Sequence, residues 1–495
     1  MTNDQDPVSI LIVGLGREGT ALARFLAERG ARVTVTDVRP AEALAERLAA
    51  LADLRLTWAL GGHPLSLLDG ADLLFVSPGV PSDIPLLVEA RRRGLPLSSE
   101  TRLFTRLCPA PIVGITGSSG KTTTTALVGE MLQAGGHRTW VGGNIGRPLI
   151  GHLAEMTPDD RVVMELSSFQ LEFFAPWRDE ERVSKGQAET WFDPTGWSPP
   201  LAAVLNVTPN HLDRHPTMEA YIAAKSHILN YQRPGDVAVL NLDNPVTRQM
   251  GEERGRRKEA GGKGQEAGEG RRVLWFSLEQ PVEEGAFLRG EELIVRLAGQ
   301  EQRVCRMEEI KLLGRHNVAN VLAACALAAA AGAPPDALRR VVTSFSGVEH
   351  RLELVRERHG VRWYNDSIAT TPERTVAALR AFSGTPILLL AGGRDKHLPW
   401  DEMARLTCRQ VRHLILFGEA AGLIERAVQE AGGKGQEAIP PIHQAGTLER
   451  AVELAACLAR PGDVVLLSPG GTSFDAFRDF AERGERFRRL VQALE

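Results

Sequence analysis

Residues 112–125 read IVGITGSSGKTTTT. A β-rich apolar run opens into glycines, a lysine and hydroxyls at phosphate-cradling spacing. Backbone N–H groups of a glycine turn point at phosphate oxygens, and the N-terminus of the helix that follows adds partial positive charge. In this reading Lys121 reaches the β/γ-phosphates of a nucleoside triphosphate and the Thr122 hydroxyl sits on Mg²⁺. The usual pattern, G-x-x-x-x-G-K-[ST], wants glycine at position 115, where Ile115 stands; Gly114, Gly117 and Gly120 make a variant loop, T-G-x-x-G-K-T.

Working outward, short apolar runs alternate with helical patterns from end to end, which predicts α/β architecture with largely parallel sheets. The first region reads as strands near 8–13, 32–36 and 73–76 with a helix over 19–28. The chain breaks around Cys108-Pro109-Ala110-Pro111, and a second α/β pattern runs from the glycine loop to a hinge at Ser346-Gly347-Val348. Its strands fall near 162–165, 202–206 and 237–241, with helices over 217–230, 317–331 and 335–344. A third α/β region has strands near 362–365, 387–391, 413–417 and 464–468. Two charged, Gly- or Pro-bearing segments, 177–200 and 252–272, read as flexible surface insertions, because such composition buries too little apolar area to offset its ordering entropy. The octapeptide AGGKGQEA occurs at 260–267 and again at 431–438, with a related SKGQAE at 184–189, and reads the same way.

Length allows about three domains. A formal net charge of −4 leaves no basic excess to hold a polyanion, so nucleic acid is excluded as the expected partner. Arg91-Arg92-Arg93 reads as the solvated face of a helix. The polar start MTNDQDP shows no signal or transit peptide, and no apolar run reaches the roughly 18 residues of a bilayer span, so no membrane insertion is expected. Five dispersed cysteines without a C-x-x-C pair fit reduced, mostly buried thiols and a cytoplasmic location.

Gly14-Leu15-Gly16-Arg17-Glu18-Gly19, with Asp37 after the next strand, is the dinucleotide-binding layout. The same turn serves NAD or any nucleotide diphosphate with a free ribose, and Ser77-Pro78-Gly79 ends a strand on the same sheet edge. Glu165 sits at a strand end, His211 lies in a run after another, and oxygen ligands of this kind suit Mg²⁺. Lys225, by composition, is a solvated surface lysine.

Together, GLGREG, SPGVPSDIP, GITGSSGKTTT, GGNIG, ELSSFQLE, NVTPNHLDRH, YIAAKSHIL, GRHNVANVLAA, EHRLE, NDSIATTPE, GGRDK and SPGGTSFDAF, in this order over nearly the whole chain, resemble the Mur ligase family of ATP-dependent amide-forming enzymes. The resemblance implies a Rossmann-like N-terminal domain (1–109) that binds the UDP part of a substrate. A central P-loop ATPase domain (110–347) and a Rossmann-like, amino-acid-binding C-terminal domain (348–495) follow. It implies a monomer that uses ATP and two Mg²⁺ ions to join D-glutamate to UDP-N-acetylmuramoyl-L-alanine through an acyl phosphate. Asp37, Arg39, Ser77, Pro78 and Gly79 would then lie near the uracil and ribose, with Asn144 and His211 where the muramoyl part meets the phosphates. Gly117, Ser118, Ser119, Gly120, Lys121, Thr122 and Thr123 would hold ATP, with Asn317 and Asn320 on the adenine side.

Glu165 and His211 would take a second metal, joined by Lys225 as N6-carboxylysine, since a carbamate turns a repelling cation into an oxygen ligand. Arg351 and Asp366 would contact ATP, and Thr370, Lys396, Ser473 and Phe480 the glutamate. Ile368 departs from members that carry a lysine after Asp-Ser. The implied mechanism closes the third domain over the second about 346–348 to exclude water. A nicotinamide dehydrogenase leaves the glycine-Lys loop unexplained, and a nucleotide switch leaves Lys396 and Ser473 unused. A folylpolyglutamate synthase does not need GLGREG and SPGV. A sister ligase adding another amino acid stays open, though the third region holds no D-N-P-R motif.

Overall fold

The computed structural model describes residues 7–494 except 145, 147, 178–187, 210–214, 216, 260–271, 313, 397 and 435–437. The chain divides into two compact units, Met1–Ile310 with Arg315–Ser344, and Lys311–Gly314 with Phe345–Glu495.

The first unit contains two sheets. Strands β1 (Ser9–Val13), β2 (Arg32–Asp37), β3 (Thr57–Leu60), β4 (Leu73–Val76) and β5 (Leu97–Ser98) form a parallel sheet in the order β3-β2-β1-β4-β5. The order reverses between β1 and β4, and that reversal opens a ligand crevice at the strand carboxyl ends. The second sheet is built from β6 (Ile112–Thr116), β7 (Thr139–Gly143), β8 (Arg161–Glu165), β9 (Leu201–Val204), β10 (Val237–Asn241), β11 (Arg272–Ser277), β12 (Gly285–Arg289), β13 (Glu292–Leu297) and β14 (Gln300–Arg306). Its order is β14-β13-β12-β11-β10-β9-β6-β8-β7. It is parallel from β7 to β12, with β13 and β14 added antiparallel. Central β6 and β8 are buried along almost their whole length, which is why they read as continuous apolar runs rather than alternating ones. One apolar cluster runs from Ile10, Ile12 and Leu103 on the first sheet's side to Val162, Met164 and Tyr221 on the second's, which makes the two sheets one unit.

In the second unit β15 (Glu353–Arg358), β16 (Val361–Asn365), β17 (Ile387–Gly392), β18 (Val411–Phe417), β19 (Ile442–Gly446) and β20 (Val464–Gly470) are ordered β15-β16-β20-β17-β18-β19. Only β15 runs antiparallel to its neighbour. Alternate residues of β17 and β20 feed two apolar clusters, one per face: Leu389 and Leu466 on one, Leu388 and Val465 on the other.

Three readings are corrected. The segment 177–200 is not simply a surface insertion: Trp191 and Phe192 are buried, Trp197 packs edge-on against Phe174 and Trp191 against Phe25, and Arg102 bonds Asp193 at 2.8 Å and the Thr195 carbonyl at 2.9 Å. Its aromatic residues outweigh its charge, a ring burying far more area than a loop residue costs to order. Residues 252–259 continue the helix Pro245–Glu259. Ala431–Lys434 likewise finishes the helix Ala421–Lys434, so both octapeptides start in or just after the last turn of a helix; the remaining inserted residues lie outside those described. The cysteines are all free, but only Cys305 and Cys325 are buried. Among the described residues no helix is long and apolar enough to cross a membrane.

Candidate active site

Position 115 is a strand residue, not a loop residue. Ile115 is fully buried and pairs with Glu165 on β8 and Ala203 on β9, so the turn proper begins at Gly117. Gly120 must be glycine: its φ is +82° and a Cβ there would lie 2.2 Å from Asn320 Oδ1. The turn is tied to the residues after β9, the Ser118 and Ser119 amides donating to the Asn206 carbonyl and Oδ1 at 2.9 Å each. Lys121 opens the helix Lys121–Ala134 and its Nζ folds back to the Gly117 carbonyl at 3.0 Å. Thr122 and Thr123, in the same first turn, are buried.

The carboxylate of Glu165, buried at the end of β8, accepts Thr122 Oγ1 on one oxygen and Asn144 Nδ2 on the other, both at 2.8 Å. Lys225 overturns its composition-based reading: it is only 1% exposed, not a surface residue. The helix Met218–Asn230, capped by the Thr217 hydroxyl, turns it beneath the glycine loop, where Nζ bonds the Gly117 carbonyl at 3.0 Å and Thr116 Oγ1 at 3.4 Å. Both lysines thus meet one carbonyl. Burial first, then the charge of Lys121, pull the Lys225 amine down to about 6 against the opposing pull of Glu165. Asn320 Nδ2 bonds Asn317 Oδ1 at 3.0 Å beside Gly120. His211 lies outside the described residues. Sequence reasoning passed over the other histidine of that motif, His215, which is buried, stacks on Phe169 and meets Ser168 Oγ at 3.0 Å. Its signal was present in NVTPNHLDRH, but sequence does not tell a ligand from a brace.

At the first sheet's crevice Gly14 has φ +98°, and a Cβ on Gly19 would come within 2.1 Å of the Gly14 carbonyl, so the helix can approach the strand only with glycine there. Asp37 is not an open carboxylate: Arg39 Nε and amide take Oδ1, while Arg39 Nη2 and the Leu15 amide take Oδ2, all within 2.9 Å. Burial alone would raise its pKa; the Arg39 guanidinium and the two amides outweigh that and hold it near 2. Arg39, its side chain 46% exposed, is therefore the group this pair presents outward. Ser77 Oγ donates to the Gly14 carbonyl at 2.8 Å, joining β4 to the glycine turn; Pro78 and Gly79 follow it in the same loop.

A second feature missed in the sequence is an acid pair, the half-buried Glu18, whose Oε2 is shielded from solvent, and the buried Glu100. Gln170 Nε2 donates to Glu18 Oε1 and to Thr101 Oγ1, both at 3.0 Å, while its Oε1 accepts the Ser167 amide. Burial pushes both carboxyls up and Glu18 raises Glu100 further, while Gln170 and Arg17 on Glu18, and the Ile150 amide and Thr101 on Glu100, oppose it. Raised carboxyls favour the folded state while protonated. That contribution is whole below the ordinary carboxylate range and is lost as pH rises through their elevated folded-state range. Glu18→Gln keeps an acceptor for Gln170, so melting temperatures are expected to match wild type at pH 5 and to exceed it at pH 9, by roughly 2–4 °C per kcal/mol recovered. Equal melting at pH 9 would refute the acid pair.

In the second unit the buried Asp366 accepts Ser468 Oγ at 2.8 Å and the Leu352 amide at 3.2 Å. Burial raises its pKa to about 7 against the pull of Ser468 and Arg351. Lys396 Nζ meets Thr370 Oγ1 at 3.5 Å, bringing two of the expected pocket residues together. Ser473 is buried at the turn after β20, and Phe480, on the first position of the helix Phe480–Gln492, packs edge-on against His350. Where Ile368 carries no charge, Arg374 Nη1 donates to its carbonyl at 2.9 Å, and Arg374 also lowers the Lys396 pKa after burial has done so.

Three protein families match this chain in order. They are the Mur ligase MurD-like, N-terminal domain (residues 8–99), the Mur ligase middle domain (115–179 and 181–328), and the Mur ligase, glutamate ligase domain (350–471). The UDP-N-acetylmuramoylalanine–D-glutamate ligase of Symbiobacterium thermophilum is 45% identical over 98% of this chain and 97% of its own. That of Geobacter metallireducens is 42% identical over 98% and 97%. Among solved structures, the UDP-N-acetylmuramate-alanine ligase of Thermotoga maritima superposes with a TM-score of 0.55 at 19% identity, covering 98% of this chain and 99% of that one, which bears on the fold alone. With identity this high across nearly the whole of both sequences, the chain belongs to the Mur ligase family, in its UDP-N-acetylmuramoylalanine–D-glutamate ligase branch.

Proposed function

We propose that this chain is an ATP-dependent ligase that joins D-glutamate to UDP-N-acetylmuramoyl-L-alanine, releasing ADP and phosphate. The observation that carries the reading is the pair Lys121 and Lys225 converging on one loop carbonyl, with Glu165 and Thr122 beside them. A lysine ammonium, a buried lysine amine and a carboxylate around a glycine turn suit a polyanion whose charge changes during reaction. The relatives' names supply the substrates.

Residues 1–109 take the UDP part through Asp37-braced Arg39 and Ser77-Pro78-Gly79. Residues 110–347 take ATP through Gly117–Thr123, Asn317 and Asn320, with Asn144 and His211 toward the muramoyl part. Residues 348–495 contribute Arg351 and Asp366 to ATP and Thr370, Lys396, Ser473 and Phe480 to D-glutamate. Mur ligases are ATP-dependent and generally need Mg²⁺. The donor set fits that ion, because the Thr122 hydroxyl and Glu165 carboxylate are hard oxygens 2.8 Å apart. Thr122 would hold one Mg²⁺, and Glu165, His211 and carboxylated Lys225 a second; bound there, the ions would neutralise triphosphate charge.

Lys225 is suited to carboxylation because burial leaves its amine largely neutral. The nitrogen lone pair adds to CO₂, an N–C bond forms and a proton leaves, giving an anionic carbamate. In the ligation the terminal L-alanyl carboxylate attacks the γ-phosphate, two anions approaching each other, the bond to the bridging oxygen breaks and ADP leaves, while Lys121 and Arg351 offset the developing charge. The amine of D-glutamate then attacks the acyl phosphate, and phosphate departs from the tetrahedral intermediate to leave an amide.

Phosphate release measured with ATP, UDP-N-acetylmuramoyl-L-alanine and a panel of amino acids should require D-glutamate. Turnover with L-lysine or diaminopimelate in its place would overturn the substrate assignment.

A further inference from the structure

Arg483, in the helix Phe480–Gln492, has no solvent exposure at all and heads the largest fully buried side chains. Its Nε donates to Ser367 Oγ at 3.0 Å. Nη2 donates to the Ser367 carbonyl at 2.9 Å and the Gly471 carbonyl at 3.2 Å, and Nη1 to the carbonyls of Gly471 at 3.2 Å and Thr472 at 3.1 Å. These acceptors lie in two loops at the carboxyl ends of the neighbouring strands β16 and β20. The link extends to a third loop, because Thr472 and Arg394 exchange backbone hydrogen bonds of 2.8 and 2.9 Å, and Arg394 stands two residues before Lys396. The seat is tight: a Cβ on Gly393, whose φ is +90°, would lie 2.9 Å from Nη1. One guanidinium therefore fixes the loops that carry Thr370, Ser473 and Lys396.

None of its hydrogen-bond acceptors bears a full charge. Asp475 and Asp366 act on it only through space, and burial lowers its pKa to about 10, so it stays cationic at neutral pH. A buried cation bonded to neutral carbonyls is costly to desolvate. An apolar side chain would fill the same space without that cost, so the site gains something from the charge and from the planar fork.

We propose that Arg483 is the positioning residue of the amino-acid pocket, setting the spacing of Thr370, Lys396 and Ser473 and adding a fixed positive charge behind them that favours a dicarboxylate. The inference rests on the reading that those residues bind D-glutamate. A lysine keeps the charge but cannot reproduce the fork, and methionine removes both.

The test is steady-state kinetics on Arg483→Lys, Arg483→Met, Ser367→Ala and Lys396→Ala, with thermal melts to establish folding. Arg483→Met should raise the D-glutamate KM by about 30-fold or more and Arg483→Lys by about 10-fold, the scale of lost charged hydrogen bonds, while the KM values for ATP and the UDP-linked substrate stay within about twofold. A folded Arg483 variant with an unchanged D-glutamate KM, or with all three KM values rising together, overturns the proposal. Should neither Arg483 variant fold, Ser367→Ala decides it, since loss of the Nε acceptor should raise the D-glutamate KM about 3-fold and an unchanged value overturns it. Lys396→Ala separates the two readings. If it leaves the D-glutamate KM unchanged the pocket assignment itself fails, whereas a rise there with none in the Arg483 variants sinks only the positioning role.

Discussion

Lys121→Ala should lower turnover by about 10³-fold or more, several kcal/mol of transition-state stabilisation, with little change in melting temperature. The asymmetry follows from what Nζ touches. In the resting site it makes a hydrogen bond to the Gly117 carbonyl, which Lys225 also reaches, so its removal leaves that acceptor satisfied. In the proposed phosphoryl transfer its charge would face the oxygens on which negative charge builds. Single-turnover phosphate release checks this, and a near-normal rate would mean that the glycine loop does not hold the triphosphate.

Lys225 carries the second large effect. With ¹³C-bicarbonate the wild-type protein should show a carbamate resonance by NMR that disappears in Lys225→Ala, and both Lys225→Ala and Lys225→Arg should lose about 100-fold or more in turnover, as when a charge-stabilising group leaves an active site. Arginine is of similar length but stays cationic and cannot form the anionic ligand. A fully active Lys225→Arg, or an undiminished resonance in Lys225→Ala, would remove the carbamate from the proposed function. Melting curves separate this from misfolding, because the surrounding core of Tyr221, Ile228 and Leu229 is untouched by the change.

Much of the architecture was readable because parallel strands covered on both faces are short apolar runs, as in ILIV before Gly14, ILLL at 387–390 and VVLL at 464–467. The antiparallel strands over 292–306 were not read: QEQRVCR is the edge strand, exposed over its first four residues and mostly polar, and the buried apolar run of ELIVRL is only three residues long, Leu293 to Val295. The segment 188–200 was misjudged for the opposite reason. Its charge and proline content dominated the composition, while Trp191, Phe192 and Trp197 found partners far away in sequence.

The glycine loop, its lysine and the order of motifs along the chain were determined by the sequence itself, because a phosphate cradle is local: four residues, one strand before and one helix after. Ile115 was an irregularity in the pattern until pairing with Glu165 and Ala203 made it part of β6. Burial and partnership were decided only in three dimensions. Lys225 lies 104 residues beyond Lys121 in the chain yet shares its carbonyl, Asp37 is closed by Arg39, and Arg483 reaches back over more than a hundred residues to Ser367. Each side chain is polar and ordinary in sequence; desolvation and a fixed neighbour change its chemistry, and both depend on contacts that only the folded chain creates.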